Sequence, residues 1–275
     1  MAQAFPLRGG VALVTGAAGG IGAALSLALA GRGCALALVD RDAEGLERTR
    51  AGAERLGVTV STHPLDLVEG DAIRALPEAV LARHGRLTLL VNNAGVALGG
   101  RFFETDLADF EWVMDVNLRA AVRMTHAFLP ALMAEETAQI VNVSSLYGIV
   151  APPGQAAYCA SKFGLRGFSE SLRHEHAGTG LGVTLVHPGG VATGIARNAR
   201  LSKTLDPEKA ERARKEFEKL LRQSPEDAAA AILRAIERRA PRAIVGRDAK
   251  AIALIQRLAP VGYWSVLARL IGQKR

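Results

Sequence analysis

Seven short apolar runs, each of buried-strand length and most of them followed by a helix-length segment, leave few folds open to this chain. They span residues 11–14, 35–39, 58–61, 87–91, 140–143, 183–186 and 243–245. Apart from Val58-Thr59-Val60-Ser61 they do not alternate polar with apolar side chains, so the strands are expected to be covered on both faces. Helical patterns at residues 21–30, 43–56, 71–83, 107–133 and 156–175 separate them. Strand and helix in strict alternation predict an α/β fold, a doubly wound parallel sheet in three layers, helix on sheet on helix.

Composition excludes the competing classes. With 275 residues, 49% hydrophobic and 22% charged, the chain is neither disordered nor fibrous, and it is long enough to bury a large core. Two cysteines, Cys34 and Cys159, are too few for a disulfide framework and lack metal-ligand spacing, which points to a reducing, cytoplasmic setting and to no metal site. His174-Glu175-His176 sets two histidines on different helix faces, which argues against a shared metal. The apolar stretch at residues 11–30 could pass for a secretory signal, but Gly16, Gly19, Gly20 and Gly22 would break a signal helix, and no targeting segment is read.

The net charge of +7 is unevenly spread: residues 194–275 hold 19 basic residues against 9 acidic, a balance of +10. Solvated helix faces account for such a balance most simply, and an anionic partner is the alternative. No recognition helix or aromatic-basic interleaving suggests nucleic acid. Residues 194–223 form a highly charged insertion with the texture of a lid. The tail at 249–271 is apolar but interrupted by Arg257, Pro260 and Arg269, which favours two short amphipathic helices over a membrane span.

Chemistry concentrates where strands end. Thr15-Gly16-Ala17-Ala18-Gly19-Gly20-Ile21-Gly22 joins the first strand to the first helix, where glycines let the backbone approach a pyrophosphate beneath free helical N–H groups. Asp40 ends the second strand, placed to accept hydrogen bonds from an adenosine ribose and to repel a 2′-phosphate, although Arg41 could pair with one. A plain helix cap at Asp40-Arg41-Asp42 is the alternative. Asn92-Asn93-Ala94-Gly95 ends the fourth strand with small residues that allow close backbone passage, and Ser144-Ser145 ends the fifth. Tyr158 and Lys162, four apart on one helix face, could form an acid/base tyrosine beside a cation. His187, before Pro188, is read as a substrate contact or a packed strand-end residue.

Taken together, these motifs resemble the short-chain dehydrogenase/reductase family, in its single-domain branch, across nearly all of residues 9–246. Thr15-Gly16-x-x-x-Gly20-x-Gly22, Asp66, Asn92-Asn93-Ala94-Gly95, Asn117, Ser145, Tyr158-x-x-x-Lys162, Pro188-Gly189 and Thr193 carry the resemblance in both order and spacing. It implies a Rossmann-type catalytic domain over residues 1–248, with the insertion as its lid, and an amphipathic extension over 249–275. It implies that Tyr158 exchanges a proton with the substrate oxygen, that Ser145 hydrogen-bonds that oxygen, that Lys162 holds the nicotinamide ribose and lowers the tyrosine pKa, and that Asn117 positions a water. Asp66 and Leu67 would contact adenine, and Val191 and Thr193 the carboxamide. Gly16, Gly20, Ile21, Gly22, Asp40, Arg41, Asn93, Ala94, Gly95, Tyr158, Lys162, Pro188 and Gly189 complete the expected dinucleotide site. Family members that use NADP often carry a basic residue at the position of Gly19, so glycine there agrees with Asp40 in favouring NAD over NADP.

The expected activity is hydride transfer between a nicotinamide cofactor and a secondary alcohol or ketone, a small-molecule substrate, in a homodimer or homotetramer. An NADPH-dependent 3-oxoacyl reductase and a non-catalytic dinucleotide sensor are the alternatives. The tail is expected to pack over the cleft or a neighbouring subunit, with peripheral membrane contact as the other possibility.

Overall fold

The computed structural model describes residues 4–270 except 202–207, 209–210, 212–214, 216–217 and 219–220. Seven strands, β1 (Val11–Thr15), β2 (Ala35–Asp40), β3 (Val60–Pro64), β4 (Leu89–Asn92), β5 (Ala138–Val143), β6 (Leu181–Pro188) and β7 (Arg242–Val245), form one parallel sheet in the order β3-β2-β1-β4-β5-β6-β7. Every residue of β1, β4 and β5 is buried, including the polar Gln139 and Asn142 of β5. The fold is the expected doubly wound α/β sandwich.

Helices cover both faces. On one lie α1 (Gly20–Ala30), α2 (Ala43–Glu54) and α7 (Pro225–Glu237), whose Leu25, Leu29, Leu46, Ile232 and Ile236 pack on Val14, Leu36 and Leu38. On the other lie α3 (Gly70–His84), α5 (Ala120–Met133) and α6 (Ala156–Glu175), which bring Ile73, Val80, Met124, Phe128 and Leu172 onto Leu13, Leu90 and Ile140. Phe128 is the largest fully buried side chain, and cutting it to alanine would cost about 3–5 kcal/mol.

The structure corrects the sequence reading in three places. The helix expected over 107–133 is two helices, α4 (Leu107–Met114) and α5, joined by a π-helical turn, Asp115–Arg119, that widens the helix and turns Asn117 inward. The third strand lies at Val60–Pro64 rather than 58–61, because its register runs from Leu36↔Val60 to Asp40↔Pro64. As an edge strand it tolerates the half-buried Ser61, Thr62 and His63. The sequence reading also omitted α7. Its signals were present: Ser224 caps by accepting from the Asp227 N–H (3.0 Å), Pro225 opens the first turn, and Glu226 and Asp227 follow.

Half of the predicted lid, residues 194–223, lies outside the described residues. Its described ends are fixed: Arg200–Leu201 pairs with Leu98–Gly99 in a short parallel ladder, and Val191 bridges to Gln223. After β7 the chain forms α8 (Arg247–Leu258) and α9 (Tyr263–Leu270), the two short helices expected on either side of Pro260. Among the described residues no helix is long and apolar enough to cross a membrane.

Candidate active site

The chain leaves β1 and β4 toward opposite faces of the sheet, and the carboxyl ends of these adjacent strands open a cleft of 1610 Å³. Thr15, at the end of β1, holds its two sides together. Its hydroxyl oxygen accepts from the Asn93 and Ala94 N–H groups (3.0 and 3.1 Å), and Asn93 Nδ2 donates back to the Thr15 carbonyl (3.0 Å). That close passage dictates glycine at two positions. Gly16 lies at φ +68° with room for no side chain, since a Cβ would come 2.9 Å from Ala94 Cα. A Cβ at Gly22 would overlap the Gly16 carbonyl. Gly19 is different, being extended at φ −168° and facing open space. It caps α1 without a side chain, which leaves the first helical N–H groups to whatever enters the cleft beside Gly20 and Ile21.

Asp40 closes one end of this turn. Its Oδ2 accepts from the Ala18 N–H and its Oδ1 from the Asp42 N–H, both at 3.1 Å. The cap of α2 is Asp42, which accepts from Gly45 N–H (3.0 Å), so the alternative reading of Asp40 as the helix cap is corrected. Exposed Arg41 and the pair Asp66-Leu67 line the same end of the cleft, with Asp66 held by the Val68 N–H (3.1 Å).

Ser145 follows β5, and Tyr158 and Lys162 share one face of α6. Ser145 accepts from the Tyr147 N–H (3.1 Å), capping a short 3₁₀ turn, Leu146–Gly148, and its side chain hydrogen-bonds Tyr158. Lys162 is 2% exposed, donates from Nζ to the Val143 carbonyl (3.0 Å) and lies 5.7 Å from the centre of the Tyr158 ring. Burial governs both groups in the protein alone. It pushes the Tyr158 hydroxyl up to about 12 against the opposing Ser145 hydrogen bond, and it pulls the Lys162 ammonium down to about 8. Tyr147, edge-on to Tyr158 with ring centres 6.1 Å apart, is likewise raised to about 12 by burial.

Asn117 is 1% exposed and fully engaged: Oδ1 accepts from the Val96 N–H (2.8 Å), while Nδ2 donates to the Val96 carbonyl (3.0 Å) and Ser161 Oγ (3.1 Å). Of the expected site residues, only Asn117 and Gly22 do not line the cleft, and both sit directly behind its wall. Pro188, Gly189, Val191 and Thr193 border it after β6.

Other residues support the site, among them His187, which takes the second of its two readings, a packed strand-end residue. His187 is fully buried, with Nδ1 2.8 Å from the Ser145 carbonyl and Nε2 unpartnered, and burial lowers its pKa to about 4. An N–H at Nδ1 donating to that carbonyl fixes the backbone from which the Ser145 hydroxyl projects. Asp248, in the first turn of α8, accepts from the Gly190 N–H (3.1 Å) and crowds Gly189, tying the tail to the loop after β6. Beneath the site, Asn92 Nδ2 donates to Asn142 Oδ1 (2.8 Å) and Asn142 Nδ2 to Ser169 Oγ (2.8 Å), a buried polar chain linking β4, β5 and α6. The tail supplies a wall: Ile252, Trp264 and Leu267 line the cleft, and the Tyr263 hydroxyl accepts from the Ala151 N–H (2.9 Å).

A family model described as short chain dehydrogenase matches residues 10–204, which contain the glycine turn, Asn117, Ser145, Tyr158 and Lys162. The chain belongs to the short-chain dehydrogenase/reductase family. Its relatives include the protein SadH of Mycobacterium tuberculosis, 40% identical over 264 residues that make up 95% of each chain. A crystal structure of a short-chain dehydrogenase/reductase from Burkholderia phymatum in complex with NAD superposes with a TM-score of 0.86 at 30% identity, covering 92% of this chain and 94% of that one. A metagenomic short-chain oxidoreductase in complex with NADP is 41% identical, with a TM-score of 0.64 over 68% of this chain and 85% of that one. Both solved structures hold a nicotinamide dinucleotide. The residues of this chain fit such a group: a glycine cradle that any Cβ at Gly16 or Gly22 would close, an uncapped helix start for a pyrophosphate, and a carboxylate at the far end.

Proposed function

We propose that the protein interconverts a secondary alcohol and its ketone at the expense of NAD, with Tyr158 as proton donor and acceptor. The observation that carries this reading is that Ser145, Tyr158 and the buried Lys162 line one cleft together, with Lys162 Nζ 5.7 Å from the centre of the Tyr158 ring. Gly16, Gly20 and Ile21 would hold the pyrophosphate, Thr193 with Val191 the nicotinamide carboxamide, and Asp40 and Arg41 with Asp66 and Leu67 the adenosine. Asn93, Ala94, Gly95, Lys162, Pro188 and Gly189 would hold the nicotinamide riboside. When bound, the dinucleotide supplies or receives the hydride.

The chain's own residues do the rest. Ser145 donates to the substrate oxygen and orients it toward Tyr158. In reduction Tyr158 gives that oxygen its proton, and in oxidation it takes one from the alcohol. A hydroxyl held near 12 is fully protonated at neutral pH, which suits reduction, and oxidation should quicken as pH rises. A protonated Lys162 beside the ring favours the phenolate, which eases that transfer. Asn117, bound to Val96 on both sides, would keep the turn beside Lys162 in place.

Asp40 favours NAD because a 2′-phosphate would bring like charge beside it, and the open space at Gly19 offers no basic partner. The apolar wall formed by Val96, Leu146, Val150, Ile252, Trp264 and Leu267 supports a substrate with apolar bulk beside the carbonyl. Residues 1–248 would be the catalytic domain and 249–275 its helical extension. Cys34 and Cys159, both buried and unpaired, support a reducing, cytoplasmic setting, and the small residues Ala160, Gly164 and Gly167 of α6 support a homo-oligomer.

The test is a panel of secondary alcohols and ketones assayed with NAD and NADP. We expect higher kcat/KM with NAD, and we expect Tyr158→Phe to bind dinucleotide normally while turning over about 10² to 10⁴-fold more slowly. Wild-type turnover by the Phe variant would remove Tyr158 from the chemistry, and preference for NADP would overturn the role given to Asp40.

A further inference from the structure

The helices α8 and α9 are amphipathic in an unusual sense. Their inward side chains Ala249, Ile252, Ile255, Trp264 and Leu267 pack on Leu146, Ile149 and Val150, yet their outward side is also apolar. Among the described residues thirteen large apolar side chains are exposed, and five of them, Leu254, Leu258, Val261, Val266 and Leu270, fall within residues 254–270. Leu258 is 76% and Val261 94% exposed, at the bend between the helices. Such clustering is more than scattered surface leucines provide.

Charge selects the partner. Arg257 and Arg269 are exposed on the same two helices, and no ion pair engages either among the described residues. The one acid of the pair, Asp248, is already bound to Gly190. A second copy related by a two-fold axis would set this face against itself and bring these arginines toward their own counterparts. An anionic lipid surface complements both features, taking the apolar side chains into the acyl boundary and the guanidinium groups among the headgroups.

We propose that the outer face of α8 and α9 docks on an anionic phospholipid bilayer. The inner face of the same helices lines the substrate end of the cleft through Ile252, Trp264 and Leu267, so docking sets the mouth of the cleft beside the lipid.

The experiment is co-sedimentation of the full chain with phosphatidylserine-rich and with pure phosphatidylcholine vesicles, at low and high salt. The wild type is to bind the anionic vesicles at low salt, and to bind them more weakly at high salt. Leu258→Ser with Val261→Ser touches no buried side chain and is to lose about a hundredfold in vesicle affinity. Arg257→Gln with Arg269→Gln is to lose about 25-fold. Light scattering is to give both variants the wild-type mass, and circular dichroism the wild-type melting curve. Absence of anionic-vesicle binding by the wild type, equal binding to neutral vesicles, or wild-type binding by either variant overturns the proposal. A fall in particle mass for the Leu258→Ser/Val261→Ser protein overturns it as well, because a second copy would then cover this face.

Discussion

The two ends of the cleft are built from different materials. At the end proposed for the dinucleotide the wall is backbone: Gly16 and Gly22 bring main chain within contact of main chain, and Thr15 and Asn93 lace β1 to β4 with hydrogen bonds to peptide groups. At the end proposed for catalysis the wall is side chain, gathered from segments far apart in sequence: Ser145 after β5, Tyr158 and Lys162 on α6, Trp264 and Leu267 on α9. A backbone wall tolerates no added atom where it is closed, whereas a side-chain wall can be re-cut to suit another substrate. One family can therefore keep its cofactor end and vary the other.

Substitution at the glycine turn is the most severe way to challenge this contrast. Gly22→Ala should destabilise the protein by about 3 kcal/mol or more, because backbone rather than a flexible side chain occupies the space. Gly19→Ala, three residues away, should stay within about 0.5 kcal/mol of the wild type. Denaturant unfolding with parallel dinucleotide titration reads both, and equal effects at the two positions would mean that close backbone approach is not what the turn requires.

A smaller effect is expected behind the catalytic end. Because burial lowers His187 from 6.5 to about 4, the unfolded chain binds the extra proton between those values. Stability from this residue is therefore complete above pH 6.5 and is lost as pH falls toward 4, by up to about 3 kcal/mol. His187→Asn keeps an N–H donor for the Ser145 carbonyl but cannot titrate. Its stability should fall less steeply than that of the wild type over the same interval, and identical acid limbs would refute the buried neutral imidazole.

Trp264→Ala should have the mildest consequence and sharpens the contrast most. It opens the substrate wall, so KM for a bulky apolar alcohol should rise about tenfold, with the dinucleotide Kd nearly unchanged. Weakened dinucleotide binding in this variant would show that the two ends are not independent.

Much of the molecule was legible in the chain because its signals are local. Apolar runs of strand length, Gly16 through Gly22 after the first of them, and Tyr158 four residues before Lys162 each report on a few neighbouring residues, and the sheet and the cleft followed from them. The helix Pro225–Glu237 announced itself by Ser224, Pro225 and a stripe of buried Ala228, Ile232 and Ile236, and was there to be found. The π turn at Asp115–Arg119 was not, since neither proline nor glycine marks it and the apolar pattern runs through it unbroken.

The sequence by itself determined the sheet, the glycine cradle and the order of the candidate reactive groups, since helical and strand periods and φ preferences are properties of short segments. Tertiary structure alone decided what those groups experience. Asp40 became a brace for Ala18 instead of a helix cap, Asn117 was committed to Val96, and His187 came to hold the Ser145 carbonyl 42 residues away. Tyr263 reached Ala151 across 112 residues, so that the tail walls the cleft. Burial, which sets the pKa values of Tyr158 and Lys162, exists only once distant segments have closed over them, because removal of water is a property of the packed whole and no short segment encodes it.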